Sequence, residues 1–84
     1  MFEVTWEKRA LQELKKLDYF ISKRILKKVH ELKEDPFSSD TKKLKSTKFY
    51  RLRIGTYRVL FEILDDKLIK ILKVGHRKNI YKIK

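Results

Sequence analysis

The sequence has no cysteine and contains only one proline, two glycines and one methionine among 84 residues. Without cysteine, the chain has no disulfide and no thiolate nucleophile or metal ligand, which is typical of proteins from reducing compartments. It also lacks an apolar run long enough to span a membrane, and its first residues do not have the layout of a signal peptide. We therefore expect a cytoplasmic protein.

Repeats, low-complexity tracts and linkers rich in Gly, Ser or Pro are absent as well. A second domain would normally be marked by such a linker or by a shift in composition. With 42% hydrophobic residues, the chain has enough apolar surface for one modest core. We expect a single domain over residues 1–84.

Acidic residues are scarce relative to basic ones. The chain carries 23 Lys and Arg residues against 11 Asp and Glu, a formal net charge of +12 at pH 7. Residues 41–61 hold seven basic side chains and no acid, and residues 67–84 hold another seven and no acid. Such a field on a small surface favours nucleic acid or another polyanion as the partner. The alternative is that the lysines serve solubility or follow genome composition.

Two amphipathic helices are predicted after a short first strand over residues 2–6, where apolar and polar residues alternate. The first helix runs from about residue 7 to 17, with Thr5 as its N-cap and Ala10, Leu14 and Leu17 as its apolar stripe. Asp18 is predicted to cap the second helix, which ends before Pro36 because the residue before proline avoids the helical region. Its apolar face is formed by Ile21, Ile25, Val29 and Leu32.

Three antiparallel strands are predicted in the second half of the chain, after a basic loop over residues 37–48 that could begin a strand near Leu44. Tight turns at Gly55-Thr56 and Asp65-Asp66 separate these strands. They cover about residues 49–54, 57–64 and 68–76. The order is β-α-α-β-β-β, an α+β fold with both helices on one face of a curved, mainly antiparallel sheet.

The first hairpin brings like charges together. A two-residue type II′ turn beginning at Gly55 pairs Ile54 with Tyr57 and Arg53 with Arg58, and it leaves Arg51 on the face of the two arginines. Like charges directly opposite each other destabilise a sheet, so this pairing indicates a site for an anion, and phosphate suits the guanidinium fork. A two-residue turn at Asp65-Asp66 would further place Lys73 opposite Arg58 and Arg77 on the same face.

The motif residues and the order of elements resemble the RelE toxins of the wider RelE/ParE superfamily over nearly the whole chain. The matching segments are Lys43-Leu44-Lys45, residues 50–61 through the hairpin, Asp65-Asp66, Val74-Gly75-His76-Arg77 and Tyr81. The resemblance implies an endoribonuclease that cleaves messenger RNA in the ribosomal A site and is inhibited by a RelB-like antitoxin. It also implies that no metal or other cofactor takes part, because the RNA 2′-hydroxyl attacks the adjacent phosphorus.

The resemblance also implies roles for individual residues. Arg58 matches the arginine that stabilises the transition-state phosphate, Arg77 matches the one assigned to the leaving group or its charge, and Tyr81 matches the tyrosine that stacks on the substrate base. Arg51 and Arg53 occupy positions that are lysines in the best-known members. Arginine does not deprotonate, so it does not serve as a base there, and the base lies elsewhere or in ribosomal RNA.

His76 is a second candidate for the base because imidazole titrates near neutrality, although a histidine at the end of a strand is equally a simple surface residue. Glu62 shares the face of Arg58 and is interpreted as structural, paired with a nearby basic side chain. Tyr50 and Tyr57 are expected in the core. Lysines of the basic segments are predicted to contact RNA: Lys42, Lys43, Lys45, Lys48, Lys73 and Lys78.

Three other functions remain open at the level of sequence. The first is a non-catalytic ParE-type toxin that binds DNA gyrase, although such toxins usually lack the full set of Arg58, Gly-His-Arg and Tyr81. The second is a plain RNA-binding module, which would explain the charge but not the opposed arginines. The third is a RelE homologue that binds the ribosome but cleaves weakly, because arginine replaces lysine at two positions.

Overall fold

The computed structural model describes residues 1–80. It contains two helices and five strands: β1 (Glu3–Trp6), α1 (Lys8–Lys15), α2 (Tyr19–Glu31), β2 (Thr41–Lys43), β3 (Tyr50–Ile54), β4 (Tyr57–Leu64) and β5 (Leu68–His76). The sheet order is β1-β5-β4-β3-β2. β1 is parallel to β5 and the other neighbours are antiparallel. None of the described helices has the length and apolar character needed to cross a membrane.

The predicted α+β fold is confirmed, with one addition. The segment predicted as a basic loop contains the short strand β2, which pairs Lys42 with Arg51 of β3 and forms one edge of the sheet. β1 forms the other edge through a parallel pairing with β5. Parallel pairing of β1 requires a long connection, and the two helices together with β2–β4 lie between the paired strands in the chain.

Helix α1 ends at Lys15, two residues before the predicted end, and one of the two predicted N-caps is wrong. Thr5 does not cap α1, because β1 continues through Trp6 and the N–H of Glu7 donates to the carbonyl of Ile71 at 2.9 Å. Asp18 caps α2 as predicted, and its carboxylate accepts from the N–H of Phe20 at 3.2 Å. A carboxylate at this position satisfies one of the free N–H groups of the first turn.

The main core lies between the helices and one face of the sheet. Each element from β3 to β5 contributes two or three buried apolar side chains to it, and the helices cover these with their apolar stripes. The buried members of the cluster are Ala10, Leu14, Ile25, Val29, Leu32, Leu52, Ile54, Val59, Phe61, Ile69, Ile71 and Val74. Tyr50 stacks on Phe61 with 5.4 Å between ring centroids, and Tyr57 packs against the same cluster, which confirms their predicted place in the core.

A β-bulge in β5 corrects the register predicted for the second hairpin. Val59 pairs with Val74, whereas Phe61 pairs with Ile71, so Leu72 has no partner. The extra residue changes which face the following side chains occupy. Ile71 and Val74 therefore both face the helices although they are three positions apart in the sequence.

The second turn is also longer than predicted. Leu64 pairs with Leu68 rather than Lys67, and Asp65 and Asp66 both adopt positive φ. Together with the bulge, this longer turn places Gly75, not Lys73, opposite Arg58. The prediction that Lys73 opposes Arg58 is therefore wrong.

Candidate nucleic-acid interface

The β3–β4 hairpin brings two arginines directly opposite each other, as predicted. Arg53 pairs with Arg58 and Ile54 pairs with Tyr57. Gly55 has φ of 58°, whereas Thr56 is not among the residues with positive φ. This combination is that of a type II′ turn, which requires a left-handed residue only at its first central position. A glycine at position 55 is therefore what fixes the register of the opposed arginines.

The arginines line a cleft of about 650 Å³ on the sheet face opposite the main core. Arg51 and Arg53 of β3, Arg58 of β4 and Arg77 after β5 contribute to its wall. Lys42, Lys43, Lys45 and Leu44 complete the lining. We call this site the arginine cleft. Its lining contains seven cationic residues and no acid, so it suits a ligand with several negative charges.

Hydrogen bonds hold the guanidinium of Arg58 at the tip of the hairpin. Its Nη1 donates to the carbonyl of Gly55 at 2.8 Å and to the carbonyl of Tyr57 at 2.9 Å. Both contacts use the same nitrogen, so the other guanidinium donors remain available for a ligand. The chain after β5 is fastened to the same turn, because the N–H of Arg77 donates to the carbonyl of Thr56 at 2.8 Å. These contacts bring Arg77 next to the hairpin.

His76, which the sequence suggested as a candidate base, is not among the residues that line the arginine cleft. It pairs with Tyr57, so it shares the helix-facing side of the sheet, and its ring lies edge-to-face on that tyrosine at 5.7 Å between centroids. Its Nδ1 accepts the N–H of Lys78 at 3.1 Å. Nδ1 is therefore occupied as a hydrogen-bond acceptor by the backbone of the following turn.

Two of the predicted RNA-binding lysines are engaged in ion pairs. Lys73 donates to Glu13 of α1 at 3.0 Å, and its side chain is only 12% exposed. Lys48 lies 3.4 Å from the carboxylate of Glu62, which agrees with the structural interpretation of that buried glutamate. Lys78 is exposed in the turn after β5, and Tyr81 lies outside the described residues. Of the lysines predicted to bind RNA, three line the cleft: Lys42, Lys43 and Lys45.

Two acidic residues that the sequence interpretation does not assign to the site contact its surroundings. Asp40 accepts a hydrogen bond from Arg53 at 3.2 Å. Glu13 holds Lys73 and also accepts the N–H of Val74 at 2.9 Å. Glu13 is 60 positions from Lys73, so no local pattern identifies it. Asp40 has a weak signal, since it is the last acid before the acid-free segment 41–61.

Comparison with known proteins identifies the family. A sequence profile described as "ParE toxin of type II toxin-antitoxin system, parDE" matches residues 4–81. The curated toxin RelE3 of Methanocaldococcus jannaschii is 33% identical, with 94% of each chain covered. A second relative from that organism, carrying the name RelE1, is 38% identical, with 96% of each chain covered.

Solved structures agree in fold and in family. The RelB–RelE antitoxin–toxin complex from Methanococcus jannaschii matches with a TM-score of 0.74 and 32% identity, covering 92% of this chain and 94% of that one. The RelBE2 toxin–antitoxin complex from Mycobacterium tuberculosis matches with a TM-score of 0.81 and 29% identity, covering 90% and 98%. The chain therefore belongs to the RelE toxin family of the RelE/ParE superfamily, the toxins of type II toxin-antitoxin systems.

Proposed function

We propose that this toxin is a ribosome-dependent endoribonuclease that cleaves messenger RNA in the ribosomal A site, in the cytoplasm. The observation that carries the proposal is the arginine cleft, in which Arg53 and Arg58 oppose each other and Arg51 and Arg77 complete the wall. A sheet that places like charges opposite each other loses stability. Binding of an RNA phosphate offsets that loss and uses the planar fork of arginine.

The proposed reaction is an internal transfer at one phosphate. The 2′-oxygen of the RNA attacks the adjacent phosphorus and gives up its proton, and the bond from phosphorus to the 5′-oxygen breaks. The 5′-oxygen takes up a proton, so the products are a cyclic phosphate and a 5′-hydroxyl. Arg53 and Arg58 stabilise the extra negative charge on the phosphorane-like transition state, and Arg77 stabilises the leaving oxygen.

Dependence on the ribosome is consistent with the chemistry of the cleft. Its lining among residues 1–80 contains no carboxylate and no imidazole, and arginine does not accept a proton from the 2′-hydroxyl. The protein therefore supplies charge stabilisation and positioning. We propose that the proton acceptor comes from the RNA of the bound ribosome, with Tyr81 orienting the substrate base.

Primer extension on a messenger RNA in a translating extract tests this proposal. Wild-type protein is expected to produce breaks at A-site positions, and Arg58→Ala is expected to lower the cleavage rate about 100-fold or more, the usual effect of losing one transition-state donor. Arg58→Lys, which keeps the charge but loses the fork, is expected to fall between them. Arg9→Ala is the matched control, because Arg9 is exposed on α1.

Two results would contradict the proposal: no new breaks with the wild-type protein, or equal breaks with Arg58→Ala. The description of the matching profile as a ParE toxin supports a second candidate, a non-catalytic toxin that binds DNA gyrase. Inhibition of gyrase supercoiling by this protein, without breaks in messenger RNA, would favour that candidate.

A RelB-like antitoxin is the proposed partner. The solved relatives from Methanococcus jannaschii and Mycobacterium tuberculosis are toxin–antitoxin complexes. The seven cationic residues that line the arginine cleft favour a partner surface that carries acidic side chains where it covers the cleft. A small acidic open reading frame beside this gene would support the proposal, and co-purification of the two products would test it.

A further inference from the structure

Arg53 is the one cleft arginine that contacts a carboxylate within residues 1–80. Its Nη2 donates to Oδ1 of Asp40 at 3.2 Å, and its backbone N–H donates to the backbone carbonyl of the same residue at 2.9 Å. Oδ2 of Asp40 lies 3.7 Å from Nζ of Lys28 on α2. Asp40 therefore ties Arg53 of the hairpin to helix α2.

The position of Arg53 explains why this contact bears on ligand binding. Its side chain is 55% exposed, and it lines two neighbouring cavities. One is the arginine cleft, and the other is a recess of about 370 Å³ between α2 and the hairpin tip, to which Asp40 and Arg24 also contribute. Asp40 lines the recess and not the cleft. Its carboxylate therefore draws the guanidinium of Arg53 toward α2.

This arrangement lowers the repulsion between the opposed arginines in the absence of a ligand. The guanidinium of Arg58 is bonded to the hairpin carbonyls, while that of Arg53 is partly neutralised by Asp40. A phosphate in the cleft offers Arg53 a second anion. Because the Asp40 pair is solvent-exposed, it is weak enough to exchange.

We propose that Asp40 is a positioning residue that holds Arg53 on the α2 side of the cleft and competes with the phosphate for it. Binding of an RNA phosphate transfers Arg53 from Asp40 into the cleft. The proposal rests on the proposed function only in taking RNA as the ligand. Asp40 touches no reacting atom; it determines where Arg53 lies before the RNA arrives.

The affinity test uses a fluorescent single-stranded oligonucleotide with 2′-deoxy nucleotides, which binds without being cleaved. Asp40→Asn keeps the backbone contact and the size of the side chain, and it is expected to tighten binding about threefold, as expected for loss of an exposed ion pair. Glu34→Gln is the matched control, because it removes one charge from an exposed residue that has no ion pair among those of the described residues.

A double-variant comparison distinguishes competition between Asp40 and the phosphate for Arg53 from a general effect of removing one negative charge. In an Arg53→Gln background, Asp40→Asn is expected to change affinity no more than Glu34→Gln does. An equal gain from Asp40→Asn in both backgrounds would overturn the proposal, since the effect would then not pass through Arg53. Weaker binding of Asp40→Asn in the wild-type background would overturn it as well.

A second measurement needs neither RNA nor cleavage. In nitrogen-15 NMR spectra, the Nε–H signal of Arg53 is expected to differ between the free wild-type protein and Asp40→Asn, and inorganic pyrophosphate is expected to bring the two signals together. If pyrophosphate shifts Arg58 and Arg77 but leaves Arg53 unchanged, the exchange is contradicted. If Arg53 shifts but messenger RNA is not cleaved, the proposed function fails while this inference stands.

Discussion

At the scale of single residues, the opposed arginines show how a sheet accommodates like charges. The backbone pairing of Arg53 and Arg58 places their Cβ atoms only about 5 Å apart. Their guanidinium groups diverge, because Arg58 is bonded to the carbonyls of the hairpin tip and Arg53 to Asp40. The stems thus remain close together while the charges separate. The cleft between them is left to a ligand.

Glu13 of α1 is expected to contribute to the free energy of unfolding through two hydrogen bonds to β5. Its Oε1 accepts the N–H of Val74 at 2.9 Å and its Oε2 accepts from Lys73 at 3.0 Å. Glu13→Ala leaves both donors unpaired in a partly buried place and is expected to lower the free energy of unfolding by about 2 kcal/mol. Urea denaturation followed by circular dichroism measures the loss.

Two variants make that experiment specific. Glu13→Gln keeps an oxygen for Val74 but loses the charge that pairs with Lys73, so it is expected to cost less than Glu13→Ala. Glu34→Ala, at an exposed position, is expected to change the free energy of unfolding by less than about 0.5 kcal/mol. Equal stability of Glu13→Ala and Glu34→Ala would show that the bridge contributes nothing.

At the scale of elements, β5 is supported differently along its length. Its first part pairs with β1 from Leu68 to Ile71, after which β1 ends. Beyond that point the carboxylate of Glu13 on α1 accepts the N–H of Val74 and so takes the place of the missing strand. The bulge at Leu72 coincides with this change. Helix α1 therefore controls the geometry of β5 just before it reaches Arg77.

The two glycines of the chain provide a matched test of the hairpin. Gly55 has φ of 58°, and a Cβ there would lie 3.3 Å from Nη2 of Arg24. Gly55→Ala is therefore expected to lower the free energy of unfolding by about 1–2 kcal/mol, the cost of a left-handed residue with a Cβ. Urea denaturation measures it.

Gly75→Ala is the control for that experiment. Among the described residues, a Cβ at Gly75 would meet just Cδ1 of Ile80 at 3.6 Å, an ordinary van der Waals distance. Its substitution is expected to leave stability within about 0.5 kcal/mol of the wild type. If Gly75→Ala were as destabilising as Gly55→Ala, turn geometry would not explain the need for Gly55.

At the scale of the whole molecule, the two faces of the sheet differ in composition: one is apolar and the other is cationic. One face carries the apolar core under the helices. The other carries the arginine cleft, and Leu60 and Ile80 are buried without belonging to the core cluster under the helices. Among the ion pairs of the described residues, only that of Asp40 with Arg53 involves a residue that lines the cleft. The positive field therefore remains concentrated at the cleft.

Salt dependence measures that field. If the four arginines of the cleft each contact one phosphate, the logarithm of the binding constant for single-stranded RNA is expected to fall with the logarithm of salt concentration with a slope of about −3. Arg77→Gln is expected to reduce the magnitude of the slope by about 0.7. Fluorescence anisotropy over a range of NaCl concentrations measures both.

The control for this experiment is Lys15→Gln, which removes one charge at the exposed end of α1. It is expected to leave the slope unchanged, because Lys15 does not line the cleft. A slope near zero for the wild type would show that RNA does not bind through phosphate contacts. Equal reductions in slope for Arg77→Gln and Lys15→Gln would show that RNA does not bind preferentially at the cleft.

The sequence alone was sufficient for local features. Periodicity indicated both helices, the Asp18 cap and the buried stripes, because these depend on residues a few positions apart. The Gly55 turn indicated the pairing of Arg53 with Arg58, because a two-residue loop fixes register. The match to the motif residues indicated the family.

Only the tertiary structure decided which of the predicted residues reach the cleft. The bulge at Leu72 and the longer turn at Asp65 each shifted the pairing of β4 with β5 by one residue, and no local pattern in the sequence indicated either shift. Lys73 is paired with Glu13 of α1, and His76 lies against the ring of Tyr57. Asp40 contacts Arg53 because it directly precedes the edge strand β2, which pairs with β3. Such contacts depend on the packing of segments that are distant in sequence. The two register shifts add up to two residues, which keeps each side chain near Arg58 on its predicted face but changes its partner on the neighbouring strand.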